Sequence, residues 1–143
     1  MIIIHPFAKP LQNGGVNPKN YPYWKELIAL IDEPIIQVGV EGEEQLVPDF
    51  RKNLPLFQLK ELLAQCRTWI AVDSFFQHLA WAEGKQGIVL WSVSDPNIYG
   101  HKENINLLKD RSYLASNQFL WWDYTPHNPE AFVKPEEVIY HLG

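Results

Sequence analysis

Cysteine is nearly missing from this chain: Cys66 stands alone among 143 residues. One thiol cannot form an internal disulfide, so the fold must rest on its core, and a reducing, cytoplasmic setting is expected. Metal-holding spacings are missing as well. There is no Cys-x-x-Cys and no His-x-x-x-His pair, so no resident metal is expected. Positive charge is in deficit, with 12 Lys and Arg against 17 Asp and Glu and a formal net charge of -5. That speaks against a nucleic-acid binder with a basic face, though not against a local basic site for one anionic ligand. No apolar run reaches the roughly 18 residues of a membrane helix. Met1 to Pro10 has no basic segment leading into an apolar one, so no signal peptide is expected either. The phosphate-loop fingerprints Gly-x-Gly-x-x-Gly and Gly-x-x-x-x-Gly-Lys-Ser/Thr do not occur.

What is present is an ordinary globular mix, 46% hydrophobic and 20% charged, enough for one domain over residues 1–143 with one sizeable core. Eleven prolines point to short elements joined by structured loops. Ile2-Ile3-Ile4 is a β-branched run of the kind buried on both faces of a sheet. Pro22 opens a helix with Trp24, Leu27, Ile28 and Ile31 on one side. Ile35 to Val40 reads as a strand, Leu46-Val47 as a short third strand, and Leu59, Leu62, Leu63 and Cys66 as another helix face. Thr68 to Val72 is a strand ending at Asp73. Ser74 to about Glu83 is helical and stopped by Gly84. Gly87 to Trp91 is a buried strand, and Ser92 to Asn104 a polar loop. Ile105–Leu108 and Gln118–Trp122 are short strands, and Pro135 opens a last helix with Val138, Ile139 and Leu142 on one face. This alternation predicts a single Rossmann-like three-layer α/β sandwich with a mostly parallel sheet and right-handed crossovers. In such sheets ligands bind beyond the carboxyl ends of the strands, at a topological switch point. The loops after Ile4, Val40, Val72 and Trp91 are therefore where chemistry belongs.

The loop after Val72 reads Asp73-Ser74-Phe75-Phe76-Gln77-His78. A strand turning into a helix at Asp-Ser offers backbone N–H groups and a hydroxyl at a positive helix terminus, a site for an anion. Asp73 also suits an N-cap, and His78, four residues after Ser74, also suits the core. Ser94 and Asp95 sit in the loop after Trp91, which equally reads as a turn built on Asp-Pro and Gly100. Glu43, in the acidic turn after Val40, is placed to accept hydrogen bonds from ribose hydroxyls, or is merely solvated. Lys19 precedes the first helix near the same mouth and can neutralise a phosphate. Cys66 reads as packing rather than as a nucleophile. Trp121-Trp122 read as core or interface residues, although an exposed aromatic can stack on a base.

Together these pieces resemble the C-terminal, donor-binding half of family 9 glycosyltransferases, the ADP-heptose:lipopolysaccharide heptosyltransferase group. The family's Lys-x-Trp-Pro approach to a helix resembles Lys19-Asn20-Tyr21-Pro22. Its strand, glycine and downstream glutamate resemble Ile36 to Gly39 followed by Glu43. Its Asp-Ser/Thr-Gly-x-x-His-Leu-x-x-Ala resembles Asp73 to Ala82, and its Gly-Lys-Pro, apolar strand and x-Asp-Pro loop resemble Gly84-Lys85-Gln86, Ile88 to Trp91 and Ser94-Asp95-Pro96. The likeness spans roughly Met1 to Asn104. It implies one half of a GT-B glycosyltransferase, with Lys19 facing phosphates, Glu43 taking the ribose, Asp73, Ser74 and His78 lining diphosphate and sugar, no metal cofactor, and an ADP-type nucleotide or nucleotide-sugar as ligand. The sequence departs in two places. Phe75 replaces the motif's glycine, and the family's acceptor domain, with its catalytic base, has no counterpart ahead of the first strand.

The expected function is therefore binding of a nucleotide or nucleotide-diphosphate-sugar without turnover, as a regulatory or sequestering module of the kind a phage or mobile element could carry. The alternatives are a glycosyltransferase completed by a partner chain or a homodimer, and a degenerate domain kept for protein interaction.

Overall fold

Ile2, Ile3 and Ile4 lie at the centre of the protein, each fully buried. They form β1 (Ile2–His5) in a structure, a computed structural model, that describes residues 1–143. Period-two alternation sends Ile2 and Ile4 to one face of the sheet and Ile3 to the other. Around β1 stand β2 (Ile35–Gly39), β3 (Phe50–Lys52), β4 (Thr68–Val72), β5 (Ile88–Trp91) and β6 (Ile105–Leu108). They make one six-stranded sheet in the order β3-β2-β1-β4-β5-β6. Every neighbouring pair is parallel, and Ile3 lies between Ile36 and Trp69.

Helices cover both faces, as the near-continuous apolar strands require. On one side α1 (Trp24–Leu30) packs with α5 (Pro135–Leu142). Their Trp24, Leu27 and Val138 meet Ile4, Ile70, Ile88 and Leu90. On the other side α2 (Leu56–Gln65) and α3 (Phe75–Ala82) bring Leu59, Leu63, Phe76 and Ala80 against Ile3, Trp69 and Val89. Each leucine, isoleucine, valine or phenylalanine among these, fully buried, is worth about 1.5–3 kcal/mol. Gly84 closes α3 with a φ of 72°, a conformation that glycine adopts without strain. Cys66 is buried beside this second core, its thiol toward the Leu63 carbonyl. No helix is long and apolar enough to cross a membrane.

The α/β sandwich is as expected, and its sheet is wholly parallel. The third strand is elsewhere than expected. Leu46-Val47 is loop, held by the buried Gln37 amide, which donates to the Glu44 carbonyl at 2.8 Å and accepts from the Leu46 N–H at 2.7 Å. The strand itself is Phe50–Lys52 at the sheet edge, where exposed Arg51 and Lys52 mask its pattern. Gln118–Trp122 is not a strand either. The Gln118 side chain spends its amide on the Val93 and Ala115 carbonyls and on the Asp95 N–H, and a 3-10 turn follows at Trp122–Tyr124. Within the expected polar loop, Pro96–Tyr99 forms a short helix, α4, capped by Asp95.

A candidate anion-binding cleft at the switch point

After β1 the chain builds outward to β2 and β3, then returns to place β4 on the other side of β1. The loops leaving β1 and β4 part at that reversal. Between them, at the carboxyl ends of the strands, lies a cleft of about 580 Å³, within the range of small-molecule sites. His5 reaches it from the end of β1, Lys19 from the loop that follows, Asp73, Ser74 and Phe75 from the β4–α3 turn, Glu43 from beyond β2, and Trp121 and Trp122 from the segment after β6. A smaller hollow of about 300 Å³ lies at the opposite end of the sheet, beside Arg67, Lys85 and His141.

Asp73 is the hub of the cleft. Its buried carboxylate accepts from Gln77 Nε2 at 2.7 Å and Ser94 Oγ at 2.7 Å, and pairs with Lys19 Nζ at 3.0 Å. With those bonds made, Asp73 is not the cap of α3. Ser74 occupies the N-cap position, and no side chain caps the helix, so α3 begins at the cleft with its first N–H groups free of a side-chain acceptor. The Ser74 hydroxyl shares a 3.1 Å hydrogen bond with His5 Nδ1. Burial pushes the His5 imidazole down to about 4, so the ring is neutral near pH 7. It stacks on Phe76 at 5.1 Å and meets the edge of Phe75 at 5.5 Å.

Lys19 is held from both sides. Its N–H donates to Asn17 Oδ1 at 3.0 Å, and Nζ lies 5.0 Å over the Trp122 ring. Glu43 folds back so that Oε1 accepts from the Val40 N–H at 2.7 Å. Only a glycine at position 39 leaves room for that carboxylate, and burial raises the Glu43 carboxyl above its ordinary range. Phe75, in place of the motif's glycine, lines the wall, 59% exposed, and does not fill the cleft.

Three residues singled out from sequence stand outside this lining. His78 is exposed and neither in the core nor in the cleft: its Nδ1 lies 2.7 Å from His101 Nε2, and His101 stacks on Trp81 at 4.4 Å. Partial burial, then the neighbouring His101, lowers its imidazole below the ordinary value. Ser94 stands behind Asp73, 1% exposed. Asp95 caps α4 through the Asn97 N–H and binds Arg111 at 2.7 and 3.2 Å, which holds its carboxyl below the usual range. Trp121 and Trp122 are cleft walls rather than core. His5 and Gln77 were not anticipated. The signal for His5 was a polar residue ending an apolar strand, as Asp73 ends β4; for Gln77 it was the i, i+4 spacing from Asp73.

The family model for glycosyltransferase family 9 (heptosyltransferase) matches residues 17–118. The match takes in Lys19, Glu43 and the Asp73–His78 turn, and stops short of Trp121. Comparison with curated proteins and with solved structures returns no match. With most of its length and the β4–α3 turn of its switch point inside the match, the chain belongs to glycosyltransferase family 9.

Proposed function

We propose that the switch-point cleft binds a nucleoside diphosphate or its sugar derivative, ADP-type by the family's habit. The observation that carries this reading is that Lys19 and the start of α3, uncapped by any side chain, flank one cleft at the strand ends. A diphosphate between them receives a positive side chain and helix-terminal N–H groups together. Glu43, at the β2 end, accepts from ribose hydroxyls, while the Ser74 hydroxyl is shared with His5 Nδ1. The chain binds this ligand without turning it over. In the cleft Asp73 is already engaged by its three partners, Glu43 by the Val40 N–H and His5 by Ser74; Asp123, the remaining carboxylate of the lining, sits beside Trp122, and general-base catalysis needs a group poised at the acceptor.

Thermal melts and calorimetry with ADP, UDP, GDP and their sugars test the binding. A ligand at 100 times its Kd adds about 2.7 kcal/mol of stability, and no shift with any of them refutes the reading. Family membership favours a second reading, a transferase whose acceptor wall and base come from a partner chain or a second copy. Multiple-turnover release of nucleoside diphosphate from a nucleotide-sugar, by this chain alone or in a defined oligomer, would decide for that reading.

A further inference from the structure

Two aromatic side chains that the family pattern does not supply line the same cleft. Phe75 stands where the family motif has glycine, and Trp121 lies beyond the matched residues 17–118. They arrive from separate segments of the chain. Phe75 begins α3, which packs on the face of Ile3 and Trp69. Trp121 precedes a turn pinned to the first loop by Lys19 under Trp122 and by Asn13 Nδ2, which donates to the Asp123 carbonyl at 3.1 Å. Both rings are open to the cleft, Phe75 59% and Trp121 70% exposed. The edge contact with buried His5 limits where Phe75 can turn. Exposed aromatics in a concave site signal a binding surface, and these two rings share their cleft with the Lys19 ammonium.

We infer that Phe75 and Trp121 form an aromatic clamp that grips, by its face, a ring attached to the diphosphate held at Lys19. The inference rests on the nucleotide reading above and adds to it the residues that select for a ring. Both a nucleobase and the sugar ring of a nucleotide-sugar present a face of this kind. Stacking on an aromatic side chain depends on ring area and tolerates the identity of a base. The clamp therefore recognises that a ring is present more than which base it is.

The test is calorimetry of three probes, pyrophosphate, ADP and ADP-glucose, on the parent and on Trp121→Ala, Phe75→Ala, Trp121→Phe and Phe75→Tyr. The alanine variants should bind a ring-bearing probe about five- to a hundredfold more weakly, and pyrophosphate as the parent does. The aromatic replacements should recover most of the loss. A loss shared by ADP and ADP-glucose places the base in the clamp, and a loss confined to ADP-glucose places the sugar there. If the parent binds ADP and the alanine variants bind every probe as it does, or lose pyrophosphate in equal measure, the clamp is wrong and the nucleotide reading stands. If the parent binds none of the three probes, the clamp falls, and the screen with UDP, GDP and their sugars decides the nucleotide reading.

Discussion

Replacing Asp73 by alanine should unfold much of what the switch point holds together. Three partners lose their acceptor at once: Lys19 Nζ, Gln77 Nε2 and Ser94 Oγ. Lys19 recovers some hydration, since its side chain is 18% exposed. Gln77 and Ser94 recover almost none, being 0% and 1% exposed. Each buried donor left unmade costs about 1–3 kcal/mol, and breaking a buried ion pair from one side costs about 3–5 kcal/mol. Taking the low end of each, because Lys19 keeps some hydration, the expected loss is about 5 kcal/mol, against a total stability of about 5–15 kcal/mol for a domain. In urea the midpoint should fall by about 2 M at an unchanged slope. Asp73→Asn, which keeps the shape and one acceptor oxygen, should lose about half as much. Adding Lys19→Met to Asp73→Ala should lose less than the sum of the single changes, by about 1 kcal/mol or more, because the stranded charge is gone. An Asp73→Ala loss below about 1 kcal/mol, the cost of an ordinary missing cap, would refute the hub.

The remaining tests probe other parts of the cleft. His5 should make stability pH-dependent. Its folded value, about 4, lies below the ordinary 6.5, so the unfolded chain takes up the proton first and stability falls as pH drops from about 6.5 to about 4, by at most about 3 kcal/mol. The urea-midpoint gap between parent and His5→Asn should then narrow at pH 4.5 relative to pH 7, and an equal gap at both would refute it. Gly39→Ala should expel the Glu43 carboxylate from the Val40 N–H and cost about 1 kcal/mol. Glu43→Ala should add little in that background, and full additivity in a double-mutant cycle would show that the two sites are independent. Lys19→Met should weaken ADP binding by about 1.5–3 kcal/mol, less at high salt, as calorimetry across a salt series can show.

The parts of the fold legible in the sequence were those whose residues meet the same environment along their length. Ile2–Ile4, Thr68–Val72 and Ile88–Trp91 are buried strands at the middle of the sheet, and their unbroken apolar runs announce it. The edge strand Phe50–Lys52 is half solvated and carries two cations in three residues, so no pattern marks it. Gln118–Trp122 failed for the opposite reason. Its apolar run Phe119-Leu120-Trp121 looks like a strand, yet all three residues are exposed, and the backbone beside them is tied down by the Gln118 amide.

The cleft divides along similar lines. Strand ends locate it, because a parallel sheet with a reversal at β1 and β4 opens at one place only, and Lys19, Glu43, Asp73 and Ser74 all lie on loops leaving those ends. Which way each side chain turns is decided by partners far away in sequence. Asp73 faces Lys19 from the first loop and Ser94 from the loop after β5, while His78, one turn along α3, faces His101 instead. Asp73 therefore joins three separate loops through one carboxylate. A phosphate placed at Lys19 would compete with that carboxylate for the same ammonium, so ligand affinity and fold stability are coupled at this point. A change that loosens Asp73 should release Lys19 toward an anion, and the stability lost at the hub should reappear in part as tighter phosphate binding by the fraction of protein that remains folded.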